Sequence, residues 1–252
     1  MFIKPEAAVA IIPARYDSTR FPGKPLVQID GKPLIEHVYR RVEQARNVDH
    51  ILVATDDERI RHAVERFGGS AVMTRNDHSS GTDRLAEAAN DLDPDTLVVN
   101  VQGDEPMIEP GVIDRAITAA RLKDADIVTL MTPLDPSEAD DPNRVKVVAD
   151  RNGNALYFSR SKIPSKGTTF LHIGLYAYRV RFLKLFTKLD PTPLEQAERL
   201  EQLRALEHGF RIRVVEVESA SWGIDTPQDL ERYMQLRRKP EAGSQKPEGV
   251  VP

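Results

Sequence analysis

Ile11-Ile12-Pro13-Ala14-Arg15-Tyr16-Asp17-Ser18-Thr19-Arg20-Phe21-Pro22-Gly23-Lys24-Pro25-Leu26 starts as an apolar strand and breaks into a loop with three cations, two hydroxyls and a glycine. Further on, Val98-Val99-Asn100-Val101-Gln102-Gly103-Asp104-Glu105-Pro106 is an apolar strand that ends on an amide and two carboxylates. A cationic loop can hold a polyphosphate, and a carboxylate at a strand end can hold the Mg²⁺ that accompanies it. Together the two stretches point to an enzyme that handles a nucleoside triphosphate.

Working outward, short apolar runs alternate with helical patterns as far as Met131. Ala7–Ile12, Ile51–Ala54, Ala71–Met73, Leu97–Val101 and Ile127–Met131 read as strands. Between them, Leu34, Val38, Val42 and Ala45 keep one helical face, as do Ile60, Ala63, Val64 and Phe67, ending at Gly68-Gly69. Leu85, Ala88, Ala89 and Leu92 make a third face, and Val112, Ile113, Ala116, Ile117 and Ala120 a fourth. Strand–helix alternation with apolar strands predicts an α/β fold, a mostly parallel sheet covered on both faces. Ligands of such sheets bind beyond the carboxyl ends of the strands, where both opening stretches place their polar residues.

After Thr132 the rhythm changes. Val145–Ala149 and Ala155–Ser159 flank a turn-rich connection, and Ile173–Tyr178 and Ile212–Val217 read as strands. Pro193 to His208 reads as one helix. Thr226-Pro227-Gln228-Asp229 is a capping box that opens a last one. The expected organisation is a single domain over 1–238, with a nucleotide half at about 7–132 and a second lobe at about 133–222. Residues 239–252, rich in Pro, Gly, Glu and Lys, read as a disordered tail.

Composition narrows the class. A chain of 252 residues, 40% hydrophobic and 29% charged, is an ordinary globular protein. A formal net charge of -4 gives no global basic field, so no nucleic-acid partner is expected. The absence of cysteine excludes disulfides, thiolate catalysis and Cys-ligated zinc, and fits a reducing, cytoplasmic setting. Ala7–Ala14 is too short for a membrane span and reads as a buried strand, so no membrane insertion is expected.

Each candidate residue has a competing structural reading. Arg15, Arg20 and Lys24 could be solvated loop charges, but their place directly after a buried strand favours phosphate. The Walker spacing is absent. Asp104 could be a turn aspartate or a Mg²⁺ ligand, and Asp225 a helix cap or the second ligand. Ser79-Ser80-Gly81-Thr82-Asp83-Arg84 could cap a helix or hold a base edge. A lone histidine such as His172 is more often structural, and Glu201, in a leucine-rich helix, reads as exposed from pattern alone.

The first stretch resembles the signature of the sugar cytidylyltransferases. Further blocks resemble the 3-deoxy-manno-octulosonate (KDO) cytidylyltransferase family. They include Val53-Ala54-Thr55-Asp56-Asp57, Ser80-Gly81-Thr82-Asp83-Arg84, Pro142-Asn143-Arg144-Val145-Lys146-Val147-Val148, Ala155-Leu156-Tyr157-Phe158-Ser159-Arg160, His172-Ile173-Gly174-Leu175-Tyr176, Leu200-Glu201-Gln202-Leu203-Arg204 and Gly223-Ile224-Asp225-Thr226-Pro227. The resemblance runs from about Val9 to Leu236. It implies a Rossmann-like nucleotidyltransferase that moves CMP from CTP to KDO for lipopolysaccharide biosynthesis, with Mg²⁺, as a homodimer joined through the second lobe. It further implies that Arg15 and Lys24 hold the triphosphate, with Ser18 and Arg20 near it. Pro13, Ser80, Gly81 and Arg84 would line the cytosine and ribose pocket. Asp104 and Asp225 would bind the metal, and Gln102, Arg160, His172, Tyr176 and Glu201 would contact the sugar acid, Arg160 facing its carboxylate. The link Ser165–Leu171 is shorter than in some relatives, which keeps an 8-amino analogue of KDO or another sugar acid as an alternative substrate. A non-catalytic nucleotide sensor, or a glycosyltransferase, is the rival from another class. Paired metal ligands argue against the sensor, and the cationic loop against the glycosyltransferase.

Overall fold

A computed structural model describes residues 6–17 and 20–238. Ser18, and the 239–252 stretch read as a tail, lie outside the described residues. Among the described residues, eleven strands and eight α-helices follow one another as β1 (Ala8–Ala14), α1 (Leu34–Val42) after a small hairpin of β2 (Gln28–Ile29) and β3 (Lys32–Pro33), then β4 (His50–Thr55), α2 (Glu58–Arg66), β5 (Ala71–Met73), α3 (Gly81–Ala88), β6 (Leu97–Asn100), α4 (Pro110–Ala120) and β7 (Ile127–Pro133). The second half runs β8 (Lys146–Ala149), β9 (Ala155–Ser159), β10 (Phe170–Arg179), α5 (Val180–Phe186), α6 (Pro193–Glu198), α7 (Gln202–Glu207), β11 (Ile212–Glu216) and α8 (Pro227–Arg238).

The main sheet has the order β11-β7-β10-β6-β1-β4-β5, with β8 joined to β10 and β9 to β8. Its backbone is parallel: β1 with β4 and β6, β4 with β5, and β7 with β11. Alternate side chains of β1 go to opposite faces, as the two-residue strand period requires. Ala8, Ala10 and Ile12 pack under α1, α2 and α4 with Ile35, Val38, Ile60, Val64 and Ile113. Val9 and Ile11 pack on the other side with Leu85, Phe182, Leu183 and Leu203. Ile11 and Ile12 are wholly enclosed, and burying each contributes roughly 1.5–3 kcal/mol. Both faces are therefore covered, as the apolar runs predict.

β8, β9 and β10 pair antiparallel, and β10 is the one that shapes the site. It lies antiparallel between β6 and β7, with Tyr176 opposite Asn100 and His172 opposite Met131. An antiparallel insert starts where its parallel neighbours end. The first half of β10 thus reaches the ligand-binding edge of the sheet.

The helix predicted over Pro193 to His208 is two helices. Arg199 takes a left-handed backbone (φ 54) and ends α6. The carbonyls that would continue it are taken: Arg160 Nε donates to Glu198 O at 2.8 Å, and its Nη2 to Arg199 O at 3.4 Å. A tertiary contact here overrides a continuous helical pattern. α5 lies in a stretch the periodicity left unassigned. The capping box before α8 forms as predicted: Asp229 N donates to Thr226 Oγ1 (3.2 Å), and Thr226 N to Asp229 Oδ2 (2.9 Å).

Candidate active site

The loop after β1 is closed on itself. Gly23 N donates to Tyr16 O at 2.9 Å, and Gly23 sits at φ 69, a region L side chains rarely adopt. The Arg59 guanidinium stacks on the Tyr16 ring, 3.3 Å from its centroid, and braces the loop from α2. This closure turns Lys24 inward. Its Nζ lies 2.6 Å from Asp104 Oδ2 and 3.2 Å from Asp225 Oδ1. Arg20, exposed, reaches Asp225 Oδ1 at 3.2 Å. Arg15, half-buried, makes no hydrogen bond or ion pair among the described residues.

Asp104 and Asp225, 121 residues apart by their numbers, meet because two segments dock. Ile224 N donates to Asp104 O at 2.8 Å, and the Ser221 hydroxyl donates to Glu105. A Cβ on Gly103 would stand 2.7 Å from Pro13 O, so only glycine lets the end of β6 press against the end of β1. Ile224 is then sealed into a small core with Ile29, Leu34 and Tyr233 of α8. Burial pushes the Glu105 carboxyl up to about 7, with Ser221 opposing and Asp104 adding to the rise. Among the described residues, no group of three or more His, Cys, Asp and Glu gathers as a metal cluster. The pair of carboxylates already faces a cation, and such hard oxygen donors fit Mg²⁺, which takes one or two carboxylates and completes its shell with phosphate and water.

Beside this charge cluster opens a cavity of about 560 Å³. Gln102, His172, Tyr176 and Asp225 line it, from the residues singled out in the sequence. Gln102 is aimed by its Nε2 bond to Gly174 O at 3.1 Å. His172 packs edge-on to Phe158 and against Tyr176, with ring centroids 4.9 and 5.5 Å away. The Thr129 hydroxyl has one proton and two carbonyl acceptors, Leu175 O at 2.9 Å and Ile173 O at 3.1 Å. Its oxygen therefore accepts from His172 Nε2–H at 2.9 Å, which leaves Nδ1 as an acceptor. A somewhat larger cavity, about 620 Å³, lies by α3 and α5 and takes in Ser79 and Asp83 of the 79–84 stretch but none of the cationic-loop, Asp104, Asp225 or sugar-contact candidates. We assign the site to the cavity at the strand ends because the charge cluster borders it.

The remaining predicted residues stand apart from that cavity. Ser80 and Gly81 begin α3, and Ser80 Oγ accepts from Asp83 N at 3.1 Å in a capping box. Arg84 is fully enclosed, bound to Thr74 and, at 2.6 Å, to Asp56 Oδ2. Glu201 is not the exposed helical carboxylate that its pattern suggests. It accepts from Thr82 Oγ1 at 2.6 Å, and burial raises its pKa. The cavity lining does not include Arg160, whose guanidinium donates to the backbone carbonyls of Glu198, Pro142 and Arg199. Gln202, not singled out as a site residue, is buried, lines the cavity and has an unpartnered Nε2. Its signal was its place beside Glu201 in a family block. Arg144, Glu105 and Trp222 also line the cavity and were not singled out.

Residues 9–213 match the Cytidylyltransferase family. A 3-deoxy-manno-octulosonate cytidylyltransferase of Geobacter metallireducens is 52% identical over 245 residues, 90% of this chain and 96% of that one. The chain belongs to this cytidylyltransferase family. A relative of the same name from Myxococcus xanthus is 51% identical over 238 residues, covering 91% of this chain and 96% of its own. A solved structure of CMP:2-keto-3-deoxy-manno-octonic acid synthetase complexed with CTP superposes with a TM-score of 0.89 at 46% identity, over 92% of this chain and 98% of that one. The cytidylyltransferase fold extends to a 4-diphosphocytidyl-2C-methyl-D-erythritol synthase from Anaerococcus prevotii, with a TM-score of 0.62 at 15% identity.

One consequence concerns pH. Burial pulls the His172 imidazole down to about 3 from an ordinary 6.5. A depressed pKa stabilises the fold fully above the unfolded value and loses that contribution as pH falls toward the folded one. Taking the protein from pH 6.5 to about pH 5 should cost it about 1.5 kcal/mol more than it costs His172→Gln. Urea unfolding at the two pH values reads the difference, and equal losses in both proteins would show that His172 is not held neutral.

Proposed function

We propose that this protein transfers CMP from CTP to KDO, releasing pyrophosphate, as its relatives' names describe for them. The observation that carries this reading is the meeting of Lys24 with Asp104 and Asp225 beside a polar, part-aromatic cavity. The anomeric hydroxyl of the sugar attacks the α-phosphorus of CTP. A sugar O–P bond forms, the bond to the β-phosphate breaks, and the hydroxyl proton is lost. Alignment and charge stabilisation suffice for such a transfer, and no covalent protein group is needed.

Lys24, Arg15 and Arg20 would offset the triphosphate charge. Lys24 would exchange its carboxylate partners for phosphate oxygens. Asp104 and Asp225 would hold Mg²⁺, which when bound would supply positive charge to offset the charge that develops on the reacting phosphate. Pro13, Ser80, Gly81 and Arg84 belong in this reading to the cytosine and ribose end. Gln102 and Glu201 would bond sugar hydroxyls, Tyr176 would contact the sugar ring, and His172 Nδ1 would accept a hydroxyl proton. Arg160 would face the carboxylate. Its Nη1 and Nη2 bonds to neutral carbonyls, at 3.1 and 3.4 Å, are weaker than a bidentate ion pair with a carboxylate and can yield to it. The family resemblance extends the reading to a cytoplasmic homodimer that serves lipopolysaccharide biosynthesis. No helix among the described residues is long and apolar enough to cross a membrane.

Pyrophosphate release with each nucleoside triphosphate, against KDO, 8-amino-KDO and N-acetylneuraminate in turn, tests this reading. Release with CTP and KDO, well above every other pairing, is expected. A preference for 8-amino-KDO would move the assignment to the analogue, and no release with any sugar acid would leave a nucleotide-binding sensor.

A further inference from the structure

Lys146 is a lysine with no exposed surface at all. It sits in β8, flanked by Ser159 of β9 and Leu171 of β10. Its ammonium donates to Asp141 O at 2.9 Å and to Arg160 O. No carboxylate bonds it among the described residues. The charges that act on it are Asp141, Asp140 and Glu198, which favour the ammonium, and Arg160, which opposes it. Burial is the dominant influence and pulls its pKa down.

Burying an ammonium carries a desolvation penalty, and two carbonyl acceptors offset it only in part. For packing alone, an apolar side chain of the same length would serve at least as well. What the ammonium adds is a link between two loops. Asp141, Asn143, Arg144 and Val145 form one wall of the cavity. Arg160 follows β9, and its Nη1 reaches back to Pro142 O at 3.1 Å. Lys146 therefore holds Arg160 by its carbonyl while Arg160 holds the same wall by its guanidinium. Glu198 completes the knot by accepting from Arg160 N at 2.8 Å and from Ser159 Oγ at 2.8 Å.

We propose that Lys146 is a positioning residue for the acidic sugar: its buried ammonium locks the 141–145 wall to the turn at Arg160. It fixes the direction of the Arg160 side chain, and it adds a positive charge behind the wall that an anionic substrate must approach. It touches neither substrate. This inference rests on the sugar-acid reading of the cavity. It goes further by naming a residue outside the lining that tunes one substrate and leaves the other alone.

Lys146→Met keeps an unbranched apolar stem as far as Cε and removes the ammonium with its charge and donors. The KM for KDO should rise about tenfold or more while the KM for CTP stays within about twofold, the pattern of a lost interaction confined to one substrate. A lost structural residue would instead lower the melting temperature and move both constants together, or neither. Either of those results overturns the proposal. Glu198→Gln loosens the other side of the knot without stranding a buried lysine, and it should give the same split if Lys146→Met does not fold. Equal changes in both constants there overturn the proposal as well. Arg160→Ala separates the two layers of argument. If it leaves the KM for KDO unchanged, the sugar-acid reading of Arg160 fails. If it raises that KM while Lys146→Met and Glu198→Gln do not, only the positioning role fails.

Discussion

Asp104→Ala or Asp225→Ala should lower CMP transfer on the order of a thousandfold or more, because under the proposed mechanism each removes charge stabilisation that matters most in the transition state. Both carboxylates converge on one cation, Lys24 Nζ. Their spacing is set by the backbone bond from Ile224 N to Asp104 O, not by the side chains themselves. Truncating either should therefore leave the docking of the two segments intact. Single-turnover rates at saturating Mg²⁺ measure the loss, and calorimetric titration with Mg²⁺ in the presence of CTP should show weakened binding in the same variants. A near-normal rate in one variant would rule out the metal role proposed for that residue. Asp225, the more exposed of the two with 44% of its side-chain surface open against 25%, is expected to disturb stability less.

The second large effect is on stability. Asp56→Ala is expected to cost roughly 3–5 kcal/mol, since it strands a buried charge. Arg84 has no exposed surface, and Asp56 is the only carboxylate bonded to it among the described residues, at 2.6 Å. Its remaining polar contact is the Thr74 hydroxyl, and its Nε has no partner. Urea unfolding reads the loss. Replacing both partners at once, as Asp56→Leu with Arg84→Met, should recover much of it, because an apolar pair of similar volume removes the stranded charge. An unchanged midpoint for Asp56→Ala, together with a raised KM for CTP, would give the pair to the nucleotide instead of the fold.

The strands of the main sheet were legible because buried strands leave apolar runs, as in Val98–Val101, and their ends fell within a few residues of those expected, whereas the two-residue strands of the β2–β3 hairpin leave no such run. The place of the cationic loop was legible for the same reason: its cations follow such a run directly. Other features depend on partners distant in sequence. Helical periodicity marks Glu201 as exposed, but the Thr82 hydroxyl that encloses it lies 119 positions away. The break at Arg199 follows from Arg160 capturing carbonyls, which no local propensity encodes. Arg84 and Lys146 look like ordinary cations in a helix and a strand until Asp56 and two loop carbonyls are placed around them. The direction of β10 was hidden too, because a short apolar segment reads alike in either orientation.

That inserted strand also bears on how the chain is made. β6 and β7 are joined through α4, yet they leave a one-strand slot between them that only residues 170–179 can fill. A ribosome that has released the first 160 residues has exposed both walls of the slot and not the piece that closes it. Until then, Leu97–Asn100 and Ile127–Pro133 each offer an open row of backbone donors and acceptors on an apolar strand. Such edges pair readily with neighbouring chains, and the long-range contact that seals them forms late. The same antiparallel strand that delivers His172 and Tyr176 to the cavity is therefore the seam that joins the two parts of the sheet during synthesis, before β11 adds to the far side of β7, and nascent chains halted ahead of it should be the ones that a holdase chaperone retains.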